Sequence, residues 1–185
     1  VLACGAAPGA SSNLNADAAG QTRAGLAVVR FGADGRACVF AQRATHLVVD
    51  LQGYLDPAAV DDVDDQRLVD TRSGDRPGDR SRTEVHGRPN STAVVSLVAT
   101  DTAAGGYLQV LPCDAAAGGS SNLNTDAAGQ TVAGLAVVRF GADGRGCVFA
   151  QRATHVVVDL QAYLAPGAFD DVDDQRLVDT RVRVG

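Results

Sequence analysis

A chain of 185 residues, 45% hydrophobic and 21% charged with a net charge of −6, has the composition of a folding globular protein and not of a disordered tail. All sixteen basic residues are arginine, and an acidic balance without basic clusters argues against binding phosphate backbones. No run of about 18 apolar residues occurs, and no basic segment precedes an apolar one, so neither a membrane span nor a signal peptide is expected in this stretch.

In chain order, the stretch from Cys4 to Arg72 returns from Cys113 to Arg181 with about eleven differences, at a shift of about 109 residues. That period is domain-sized, so each unit should carry its own core. The phase divides the chain into 1–60 as the back half of one unit, 61–66 as an acidic linker, and 67–165 as a complete unit. A second acidic linker at 166–175 and the first strand of a following unit at 176–185 complete the division. Two back halves then share one front half. The spare half should expose apolar strand faces unless another chain or further sequence covers them. The ends read as arbitrary cuts or as strand-exchange points. In the second case the terminal strand around Arg176 to Arg181 adds head to tail to the sheet of the next molecule.

Strand signals follow one another: Thr92–Ala99, Tyr107–Cys113, Ala133–Phe140, Gly146–Gln151 and Thr154–Leu164 are β-rich, and no segment keeps a helical period. Turn signals separate them at Ala103–Gly106, Gly118-Gly119 and Gly141–Gly144, the last predicted to close a hairpin. On the strand after His155, alternation places Val156, Val158, Leu160 and Leu164 on the core face, with His155, Val157, Asp159 and Gln161 opposite. The predicted fold class is all-β, an antiparallel β-sandwich of immunoglobulin-like general architecture in tandem repeats.

The four cysteines form two equivalent pairs, and repeat symmetry selects Cys4 with Cys38 and Cys113 with Cys147 from the three connectivities. Buried free thiols are the alternative. A loop this long, once closed, stabilises by about 3 to 4 kcal/mol in the chain-entropy treatment and implies an oxidising, extracellular compartment. Zinc is disfavoured, because no C-x2-C spacing occurs.

The motifs Gln66–Arg72, Gly106–Cys113, Ser121–Asn124, Gly129–Thr131, Asp143–Cys147 and Thr154–Tyr163 together resemble the β-rich modules repeated in large secreted and cell-wall-associated proteins of actinobacteria. The resemblance spans nearly the whole chain. It implies secretion and a paired-cysteine β-fold, sometimes beside cell-wall hydrolase domains, and says little about mechanism. One departure is the acidic run Asp61-Asp62-Val63-Asp64-Asp65, repeated as Asp170-Asp171-Val172-Asp173-Asp174, where a short apolar, proline-containing lead-in belongs.

Those aspartates are candidate Ca2+ ligands, since four carboxylates within five residues supply hard oxygen donors. They lack the alternation, central glycine and distal glutamate of an EF-hand loop, and a solvated, self-repelling linker is the plainer reading. Arg67, Asp70 and Arg72 are expected to pair locally or to cap a sheet edge. Asn13 with Asn15, and Asn122 with Asn124, lie two apart and could present amides to a sugar or another chain, or satisfy turn backbone. No tryptophan, three tyrosines and five phenylalanines leave few rings to stack on sugars. Asn90-Ser91-Thr92 is a formal glycosylation sequon.

No catalytic motif is present, and His155 and Asp159, four residues apart on one strand, lie about 13 Å from each other, too far for a hydrogen-bonded dyad. The expectation is a non-enzymatic structural or interaction repeat of an extracellular surface protein: a stalk, adhesin shaft or filament. It needs no cofactor, structural Ca2+ at the acidic runs being the one candidate, and its expected partners are copies of itself, with cell-wall polysaccharide as the alternative. The alternative is a cell-wall or glycan-binding module attached to a secreted hydrolase.

Overall fold

The computed structural model of the chain describes residues 1–9, 11–170 and 177. Among the described residues the regular structure is almost entirely β: eight strands and two single-turn 3-10 segments. The strands are β1 (Val60–Asp70), β2 (Ser81–His86), β3 (Thr92–Thr100), β4 (Gly106–Leu111), β5 (Leu123–Thr125), β6 (Val132–Arg139), β7 (Arg145–Ala150) and β8 (His155–Leu164). They make two four-stranded antiparallel sheets, ordered β1-β8-β3-β6 and β2-β7-β4-β5.

One apolar core joins the sheets in a sandwich-like arrangement. Val95, Leu97, Val138, Val156, Val158 and Leu160 come from the first sheet, and Val85, Leu108, Leu123, Val148 and Ala150 from the second. Valine dominates because a β-branched side chain packs well on a pleated surface and loses little rotamer freedom there. At one end Phe140 is fully buried and its ring lies against Gly87, where a Cβ would stand 2.4 Å from the Cε2 atom. Only glycine lets the backbone pass that ring.

Two expectations about local geometry change. The turn Gly141–Gly144 is tight, with Gly144 N–H donating to the Gly141 carbonyl at 2.9 Å and Gly144 at φ +74°. It does not close a hairpin, however: β6 pairs with β3 and β7 with β2 and β4, so the turn carries the chain from one sheet to the other. On β8, the register against β3 slips between Val94 and Val95, leaving Gln161 without a partner in that ladder. A one-residue slip reverses the faces beyond it. Tyr163 therefore enters the core, and Leu164, expected there by strict alternation, is only half-buried.

The acidic run Asp61–Asp65 lies inside β1, not between units. Asp61 and Asp62 pair with Tyr163 and Ala162 of β8, and the register resumes at Gln66 opposite Leu160 after an irregularity. β1 is an edge strand, and charges on an edge discourage further pairing without harming the ladder beneath. Asp171, Asp173 and Asp174 of the second run, and the expected strand at 176–185 apart from Leu177, lie outside the described residues, as do the side chains of Asp62, Asp64 and Asp65.

The first copy of the repeat takes a different form. Among the described residues of 1–56 there is no strand, only the isolated bridge Leu2 with Cys38 and a few turns.

Candidate functional site: an arginine–aspartate cluster on the outer sheet face

Side chains on the β1-β8-β3-β6 sheet that point away from the core meet in a small polar cluster. Arg67 of β1 and Asp159 of β8 are direct cross-strand partners, which brings the guanidinium onto the carboxylate in a two-pronged contact, Nε to Oδ1 at 2.8 Å and Nη2 to Oδ2 at 3.2 Å. Asp159 is almost fully buried, and that fork is the contact that satisfies its carboxylate. Arg67 also donates through Nη1 to Asp70 at 2.8 Å, and hydrogen bonding to Asp159 holds its guanidinium firmly in the charged form against the opposing effect of burial.

Asp70 ends β1 and caps the 3-10 turn Thr71–Ser73 by accepting from the Arg72 backbone N–H. The Arg72 guanidinium donates to both of its oxygens, at 2.8 and 2.6 Å, and holds the carboxyl well below the usual carboxylate range. Thr71 turns its hydroxyl back to β8, accepting from the Val156 N–H at 2.9 Å, with the Nδ1 atom of half-buried His155 3.2 Å away. That hydroxyl is already engaged by backbone, and the His155–Thr71 pair ties the turn to the sheet.

Beside the cluster runs a shallow cleft bordered by Arg67, Arg72, Thr100, Thr131, Ser12 and Asn15. Its last two members come from the first copy, which crosses the sheet here: the buried Ser96 hydroxyl donates to the Ser12 carbonyl at 2.7 Å, and Thr131 N–H donates to Asp17 at 3.0 Å.

Cys4–Cys38 and Cys113–Cys147 are disulfides, and among the described residues no cysteine is free. Asn122 accepts the Val110 N–H at 2.7 Å and so serves β4 backbone; Asn13, its counterpart, accepts from the terminal amine of Val1. Asn124 is exposed on β5, and only Asn15 reaches the cleft. Asp61 pairs with Arg88, whose guanidinium also covers the Tyr163 ring at 4.1 Å, while Asp170 is exposed. Among the described residues no group of three or more histidine, cysteine or acidic side chains is placed to hold a metal ion.

The sequence pointed to Arg67, Asp70 and Arg72 but not to Asp159 as their partner. A lone carboxylate within the apolar run Val156–Leu160 was the available signal, since burial obliges it to find a cation. No family model, curated protein or solved structure matches this chain. No helix among the described residues is long and apolar enough to cross a membrane.

Proposed function

We propose that the chain is a structural repeat of a multi-unit extracellular surface protein, of the stalk, shaft or filament kind, resembling in its motifs the secreted β-rich modules of actinobacteria. The observation that carries this reading is the duplication itself, two nearly identical copies of one disulfide-closed sequence. The polar side chains of the complete unit support it, because they serve the unit's own backbone and ion pairs. Two disulfides favour an oxidising compartment. Non-enzymatic work suits a surface where Thr71, Asp70 and Asp159 are each engaged by a neighbouring donor.

The cleft of hydroxyls, amide and guanidinium beside Asp159 favours the second reading, a cell-wall or glycan-binding module. Calcium at the two acidic runs is compatible with either, and melting with and without chelator tests it. Co-sedimentation with insoluble cell-wall polysaccharide, together with sedimentation velocity over a range of concentrations, separates the two readings. A shaft or filament module self-associates or stays extended and remains in the supernatant. Saturable retention on the polysaccharide, lost on Arg72→Ala, overturns the structural reading in favour of the glycan module.

A further inference from the structure

We infer that the strands β1 to β3 can be closed by either copy of the back half, so that residues 1–55 form an alternative partner for 60–100 in a circularly permuted version of the same sandwich. The first copy carries the β6, β7 and β8 side chains this needs, and carries them uncovered, with Leu2 as the counterpart of Leu111 at the end of β4. Phe31, Val39, Val49, Leu51 and Tyr54 are exposed, while their equivalents Phe140, Val148, Val158, Leu160 and Tyr163 are buried against strands of the segment 60–100. The occupant that fits this uncovered set is therefore the segment 60–100, in the register of the existing ladders: β8 pairs with β1 and β3, β7 with β2, and β6 with β3.

Chain connectivity permits the exchange. In the complete unit Val60 stands opposite Leu164. Leu55 is the repeat equivalent of Leu164, so in the permuted form Leu55 faces Val60 across a hairpin, and Asp56-Pro57-Ala58-Ala59 is its four-residue loop. Those residues already form a turn: Asp56 accepts the Ala58 N–H on its side chain and the Ala59 N–H on its carbonyl, both at 2.8 Å. Near the disulfide the first copy also holds the native register, since the bridge Leu2 with Cys38 repeats the pairing of Leu111 with Cys147.

The differences between copies explain which partner is preferred. Val132, packed against the core, is Arg23 in the first copy, and fully buried Val156 is the larger Leu47. Gly146 is Ala37, and a Cβ there would stand 2.9 Å from Val138. Each change weakens closure by the first copy without abolishing the apolar pattern, so the permuted form is the minor one.

The test uses the full chain with three variants, Val158→Asp, Val49→Asp and both together, kept monomeric as checked by sedimentation, and reads hydrogen-exchange protection of the β3 amides 92–100. Val49→Asp is expected to leave protection unchanged. Val158→Asp is expected to retain a protected β3 with a lowered melting temperature, and the double variant to lose protection by at least a hundredfold. In the Val158→Asp background, Thr100→Cys with His46→Cys is expected to form a mapped intrachain cross-link, because Thr100 faces His155, the equivalent of His46. Loss of β3 protection in Val158→Asp to the level of the double variant, or protection surviving in the double variant, overturns the inference.

Discussion

Residues 4–55 and 113–164 differ at few positions, yet one stretch is a set of turns in irregular chain and the other supplies half a sandwich. What they share is local. Gly32 N–H donates to the Arg36 carbonyl and Gly35 N–H to the Gly32 carbonyl, as Gly141 does to Arg145 and Gly144 to Gly141. Gln21 accepts from Asp17 and Ala18 as Gln130 does from Asp126 and Ala127. Each disulfide closes a loop of the same length. What they do not share is ladder pairing, which needs partner strands from 60–111, and that segment occurs once in these 185 residues. Turns are thus encoded by a handful of adjacent residues, whereas a strand is encoded only together with its neighbour. Phe31 at 49% exposure and Phe140 at 1% are the same residue in the same local sequence with and without that neighbour.

The largest expected contrast follows from that pair. Phe140→Ala empties a buried site and should destabilise by about 3–5 kcal/mol, whereas Phe31→Ala should change stability by less than about 0.5 kcal/mol. Denaturant melts of the two variants check this, and equal losses would mean that the first copy is also packed. The disulfides come next. Cys113→Ala with Cys147→Ala unties β4 from β7 inside the cooperative unit and should cost about 2–4 kcal/mol. The matching change at Cys4 and Cys38 constrains a segment outside that unit and should leave the global midpoint within about 0.5 kcal/mol.

How much of this was legible in the sequence follows the same division. Symmetry gave the cysteine pairing, and β-branched runs gave the strands of the complete unit, because both are features of a single segment. A charge cluster such as the acidic run is usually solvated and reads as a linker; its membership in β1 depends on β8 offering an edge, which no local pattern records. Strict alternation puts Leu164 in the core, and the slip at Gln161 that replaces it with Tyr163 arises only when β8 is laid against β3. The Gly141–Gly144 turn looks like a hairpin because its residues do make a tight reversal. Where the two flanking strands then go is decided by β3 and by β2 with β4. In the sequence Asp159 is one member of a strand face, and its partner Arg67 lies 92 residues away.

The ion-pair cluster extends the comparison between copies to charge. Arg67→Ala strands the Asp159 carboxylate, whose side chain is 4% exposed, without its bidentate partner, and should cost about 3 kcal/mol. Asp50, the repeat equivalent of Asp159, is exposed, so Asp50→Asn should be silent in the same melts while Asp159→Asn is not. A silent Arg67→Ala would show that other groups carry Asp159.

The smallest expected effect is a pH dependence at the end of β1. Asp70 is held below its ordinary value of 3.8, chiefly by the hydrogen bonds from Arg72 and with help from Arg67, against the opposing effect of burial. A carboxylate with a depressed folded-state pKa binds its proton more readily in the unfolded chain, so its contribution is complete above about pH 4 and is lost as the pH falls through the folded value. Because Arg72 is about half exposed, solvent screening limits that contribution to about 1 kcal/mol. Melting between pH 2 and pH 6 should therefore show stability declining below pH 4, with a shallower acid limb in Asp70→Asn. The same variant should lower stability at pH 6, where the wild-type carboxylate is ionised and an amide can neither pair with Arg72 nor cap the turn equally well. An acid limb unchanged by Asp70→Asn would assign the loss to Asp79 and Asp143. Both carboxyls are also held below the ordinary value, Asp79 mainly by the Ala153 N–H and Asp143 mainly by Arg145.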